Sequence, residues 1–99
     1  MDPDLPDIIV SDVVISTAGR DQGELFYVVG TDPVYLMLAN GKDRTLDKPK
    51  RKKRKHVQQV LRSETRVAEK LRHGDKVLNG ELRRDLAFLA RDASDNLGG

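Results

Sequence analysis

Short runs of β-branched and aromatic residues, separated by turn signals, fill roughly the first sixty positions; a helical spacing replaces them afterwards. Asp12-Val13-Val14-Ile15-Ser16, Leu25-Phe26-Tyr27-Val28-Val29 and Val34-Tyr35-Leu36-Met37-Leu38-Ala39 predict three strands. A shorter run, Ile8-Ile9-Val10, reads as a strand or as a lid over the sheet. The first two strands flank a loop holding Gly19 and Gly23, both free to take positive φ. Thr31-Asp32-Pro33 predicts a turn, since Pro33 has no backbone donor. Asn40-Gly41 is a type I′ hairpin signal, which would return the chain through Asp43-Arg44-Thr45-Leu46 as a fourth strand. His56 to Leu61 supplies a fifth.

Beyond residue 61 the period changes. Ser63 is placed to N-cap a helix, with Glu64 near its positive end. Val67, Ala68 and Leu71 give that helix an apolar face, and Gly74 ends it. Asn79 is placed to cap a second helix. In it Leu82, Leu86, Leu89 and Ala90 share one face, against Arg83, Arg84, Asp85 and Arg91. Residues from Asp92 to Gly99 read as a frayed end. The expected organisation is a flexible acidic tail over 1–7, a barrel over 8–61 and a helical segment over 62–99. The fold class is mainly β: a small five-stranded barrel followed by two α-helices.

Charge changes this picture in one place. The 99 residues carry a net charge of only +2, but residues 48–55 read Lys-Pro-Lys-Arg-Lys-Lys-Arg-Lys. That segment holds seven of the 18 basic residues, leaving 11 against 16 acidic ones elsewhere, a net of −5. Such a run repels itself, resists burial and attracts a polyanion. It is expected to be a mobile basic arm that orders on binding. A solvated loop, a nuclear localisation signal and an anionic lipid surface are the competing readings of the same charges.

The candidate binding residues are therefore Lys48, Lys50, Arg51, Lys52, Lys53, Arg54 and Lys55, with His56 closing the run. Lys42 and Arg44 flank it beyond the Asn40-Gly41 turn. Arg20, between the loop glycines Gly19 and Gly23, sits where a strand–strand loop can offer backbone N–H groups and a cation to phosphate. Phe26 and Tyr27 are adjacent on one strand and so face opposite ways. Tyr27 and Tyr35 read better as core than as exposed stacking platforms. That favours contact with a nucleic acid through phosphate, sugar and shape over base-by-base readout. The apolar face of the helices is expected to pack on the barrel, or else to dock on a protein partner.

The chain has no cysteine, which excludes disulfides and thiolate chemistry. His56 and His73 have no metal-ligand spacing, and no phosphate-binding glycine motif or nucleophile elbow occurs. An enzyme is not expected, nor is a cofactor or metal. No apolar stretch approaches the ~20 residues of a membrane span. The acidic, proline-broken start does not read as a secretory signal, so the expected location is the cytoplasm.

Val13-Val14 through Gly23 to Val28-Val29 resembles a KOW motif, with Gly23 at its characteristic glycine. Ser16 to Gly23, Asp32-Pro33-Val34-Tyr35, Asn40-Gly41-Lys42, Lys48-Pro49-Lys50 and Lys55-His56 resemble, in order, small bacterial KOW proteins similar to an archaeal and eukaryotic large-subunit ribosomal protein. The resemblance covers about residues 11–61. It implies an SH3-like barrel that binds RNA, with ribosomal RNA and the large subunit as partners. The barrel family also occurs in transcription elongation factors, where it can contact nucleic acid or protein, so a protein-interaction module in transcription or translation complexes is the alternative.

Overall fold

Val13 and Val14 are neighbours on one strand and enter different cores, and the architecture follows from that division. The computed structural model describes residues 7–98. Five strands form one antiparallel sheet: β1 (Asp12–Ser16), β2 (Leu25–Thr31), β3 (Tyr35–Ala39), β4 (Lys50–Lys53) and β5 (Val57–Arg62), in the order β4-β3-β2-β1-β5. A 3-10 turn, Arg54–His56, joins β4 to β5, the two outer strands of the sheet. Two helices follow, α1 (Arg66–His73) and α2 (Asn79–Gly98).

One face of the sheet gathers Val14, Phe26, Val28, Leu36 and Leu38, with Ile8 and Val57 against them. Ile8 thus packs as the expected lid, outside any strand. The other face offers Val13, Tyr27 and Ala39 to Val67 and Ala68 of α1 and Leu82 and Leu86 of α2. Alternation along a pleated strand makes this possible, since adjacent side chains leave on opposite sides. Both Phe26 and Tyr27 are fully buried for that reason.

The buried Tyr27 hydroxyl needs partners. It donates to Asp85 of α2 and lies 2.9 Å from Ser63 Oγ and 3.3 Å from Thr65 Oγ1. Thr65 Oγ1 also bonds Asp85 Oδ2 at 2.9 Å and accepts from the Ala68 N–H at 3.2 Å. The N-cap of α1 is therefore Thr65, two residues beyond the expected Ser63, because only Thr65 also reaches α2. Gly74 closes α1 in the left-handed region (φ 73°), and the Asp75 N–H reaches back to the Lys70 carbonyl.

Asn40-Gly41 does not make the two-residue hairpin expected of it. Asn40 Oδ1 accepts from the N–H groups of Lys42 and Arg44 instead, and the chain needs ten positions, 40–49, to pass from β3 to β4. Gly41 takes φ 77° beside the start of α2; a Cβ there would lie 2.2 Å from the Asn79 carbonyl oxygen. Asn79 Oδ1 accepts from the Leu46 N–H at 2.8 Å, so its side chain ties the loop down rather than capping its own helix. The helix continues past the expected fraying point at Asp92 to Gly98. Residues 1–6 of the expected acidic tail, and Gly99, lie outside the described residues.

Candidate nucleic-acid interface

The basic run is not an arm. Lys50 to Lys53 form β4, in register with β3: Tyr35 opposite Lys53, Leu36 opposite Lys52, Met37 opposite Arg51 and Leu38 opposite Lys50. The expected fourth strand over Asp43–Leu46 is a bend and a turn, with one isolated bridge, Thr45–Lys48, inside the loop itself.

Pairing sorts the run by face. Lys50 and Lys52 share the side of Leu38 and Leu36, and both reach Asp21 in the β1–β2 loop. Lys52 is only 7% exposed; its ammonium donates to Asp21 Oδ1 at 2.7 Å and to the Ala18 carbonyl at 2.6 Å. Lys50 Nζ lies 2.6 Å from Asp21 Oδ2, an ion pair without directional hydrogen-bond geometry. Ser16 Oγ donates to Asp21 Oδ1 at 2.7 Å. Burial alone would raise the Asp21 carboxyl, but the Lys50 ammonium beside it and hydrogen bonds from Lys52 and Ser16 outweigh that and hold the carboxyl well below its usual range. A lysine can be buried here because its charge is paired and its donors are met.

This cluster shapes the Gly19–Gly23 loop. Gly19 (φ 88°) and Gly23 (φ 92°) take the left-handed turns expected of them, and Asp21 between them faces β4. Arg20 is exposed at the loop. With Arg44 and Lys50 it lines a depression that also holds Asp21, Glu24 and Asp43, so its three cations meet three carboxylates. Lys42 lies in another depression, between the β3–β4 loop and α2, beside Arg83 and Leu86. Neither Arg20, Lys42 nor Arg44 extends an unbroken positive surface.

The opposite face of β4 is different. Arg51 and Lys53 are exposed there, and Lys55 is exposed on the 3-10 turn that follows. Among the described residues none of these three, nor Lys48, forms an ion pair. The Arg51 guanidinium carbon stands 3.8 Å from the centroid of the Tyr35 ring. Arg54 is spent on structure: its Nε donates to the Asp32 carbonyl at 2.8 Å, while Asp32 Oδ1 accepts from the Val34 and Tyr35 N–H groups. The His56 carbonyl accepts from the Thr17 N–H, and His56 lines the groove that runs along β4 with Ala18, Gly19, Tyr35 and Lys50 to Lys53.

The structure therefore brings Gly19, Lys50 to Lys53 and His56 together, joins Arg20 and Arg44 to Lys50 in a separate depression with three carboxylates, and leaves Lys42 apart. Sequence reasoning missed Tyr35 as a surface group and Asp21 and Asp32 as anchors. The signal for Asp21 was a lone acid between two glycines in a loop expected to face phosphate. Among the described residues no helix is long and apolar enough to cross a membrane, and no group of three His, Asp or Glu side chains is placed to hold a metal ion. Comparison with protein-family models and with curated proteins finds no match.

Proposed function

We propose that this protein is a non-catalytic RNA-binding module, an SH3-like barrel of the KOW type that holds the phosphate backbone on its β4 edge. The observation that carries the reading is the pairing pattern of the basic run. Asp21 pairs with both inward lysines and offsets one of their two charges, while Arg51, Lys53 and Lys55 stay exposed and, among the described residues, without ion-pair partners. Alternate residues on a strand stand about 6.7 Å apart on one face, so the edge is a fixed row of cations instead of a mobile arm. A row that is already ordered loses less entropy on binding.

The strand order β4-β3-β2-β1-β5, the 3-10 turn between the outer strands and the filled apolar face around Phe26 support the barrel reading. The KOW resemblance of residues 11–61 supports ribosomal RNA of the large subunit as the partner, in the cytoplasm. A protein-docking role is the second reading, favoured by Phe88, which is 61% exposed on the outer side of α2.

The test is sedimentation with ribosomes through a sucrose gradient at low and moderate salt, for the wild type and for Arg51→Gln/Lys53→Gln/Lys55→Gln. Migration with the large subunit that salt and the triple change both abolish supports the proposal. A protein that stays at the top of the gradient at low salt sinks the ribosomal reading. A complex that survives ribonuclease and high salt favours protein docking through α2.

A further inference from the structure

The helices cover only part of the sheet face on which Tyr35, Met37, Arg51 and Lys53 lie. Tyr35 is half-buried on β3, and Arg51 reaches it diagonally from β4. The guanidinium rests on the ring at 3.8 Å, while the Arg51 side chain stays exposed. A guanidinium held against an aromatic face is fixed in orientation before any ligand arrives. Its outer side is a flat, delocalised cation, the kind of surface on which RNA bases stack.

The groove beside this pair has a volume of about 340 Å³. That is room for one nucleotide and too little for a helix. One wall is the backbone of Gly19, which has no side chain to fill the space. Lys53, directly across from Tyr35, and the exposed Lys55 beyond it supply charge for the flanking phosphates. His56 lines the same groove.

We propose that the groove at Tyr35 and Arg51 is a stacking site for a single unpaired RNA base, so that the protein prefers bulged or looped RNA over continuous duplex. The inference rests on the RNA-binding reading and adds the class of RNA. An acidic peptide would need the charges but not the plane, and would not distinguish arginine from lysine at position 51.

The probe is an RNA hairpin with one bulged 2-aminopurine, compared with the same hairpin fully paired. The wild type is expected to bind the bulged form at least about fivefold more tightly and to quench the fluorophore, as a base stacked on a planar side chain would. Arg51→Lys keeps the charge and loses the plane; it is expected to abolish the preference and the quenching while leaving the salt dependence intact. Tyr35→Phe keeps the platform and is expected to behave as wild type. Equal affinity of the wild type for both hairpins overturns the proposal, as does a bulge preference that persists in Arg51→Lys. Failure of both hairpins to bind at low salt would instead overturn the RNA-binding reading beneath it.

Discussion

Asp21 and Lys52 lie 31 positions apart in the chain and meet at 2.7 Å, both nearly out of reach of solvent. Their contact turns a segment with no apolar residue into a strand of the sheet. The exposed strip of cations that faces outward depends on this inward pair.

Removing one member strands the other. Asp21→Ala leaves two lysines aimed at an empty site and is expected to cost about 3–5 kcal/mol, the range for breaking a buried pair. Lys53→Ala, on the exposed face of the same strand, is expected to cost less than ~1 kcal/mol. Chemical denaturation of the two variants checks the difference.

The same carboxyl makes stability depend on acid. Its folded pKa is depressed below the ordinary 3.8, so its contribution is complete above that value and is lost as pH falls further. The gap in melting temperature between wild type and Asp21→Asn is expected to be wide at neutral pH and to narrow below about pH 4.

Tyr27 sets the alkaline limit. Burial and the bond to Asp85 push its hydroxyl from 10.0 up to about 12. The unfolded chain deprotonates first, so the stabilisation is full below pH 10 and is lost as pH rises from 10 to 12. The share of the tyrosinate absorbance that Tyr27→Phe removes should rise late and together with unfolding. Tyr27→Phe should be less stable at neutral pH and should lack this alkaline decline.

Gly41 and Gly23 both have positive φ but different surroundings. Gly23→Ala meets nothing within 4 Å and is expected to cost about 1–2 kcal/mol for the left-handed backbone alone. Gly41→Ala also runs into the Asn79 carbonyl and must displace α2, so it is expected to cost more. Thermal melts of the pair separate the two effects.

For RNA, each phosphate contact contributes about 0.7–0.9 to the slope of log affinity against log salt. The variant Arg51→Gln/Lys53→Gln/Lys55→Gln is expected to lower that slope by about 2–3, with a stability loss of no more than about 1 kcal/mol from the Arg51–Tyr35 contact. Lys52→Gln is expected to act the other way, through loss of stability.

Strands β1, β2, β3 and β5 were legible because β-branched and aromatic residues mark them. The fourth was hidden: Lys50-Arg51-Lys52-Lys53 has no hydrophobic alternation, and its partner Asp21 comes from a distant loop. Local turn chemistry misled at Asn40-Gly41, where the glycine serves a close approach of α2 that no local pattern encodes. The cations of the candidate site were all visible in sequence. Which of them are neutralised, and that Arg51 lies on Tyr35, depends on register, and register is settled by tertiary packing.

An outermost strand offers unpaired backbone groups to any passing strand, including its own copy. On the β4 side of the sheet that strand has four residues and every one is cationic. Two molecules approaching rim to rim would set like charges against each other, a built-in guard against polymerisation. A bound polyanion masks the same charges, so the guard is weakest when the surface is occupied, and an RNA lying along the rim must itself block the approach.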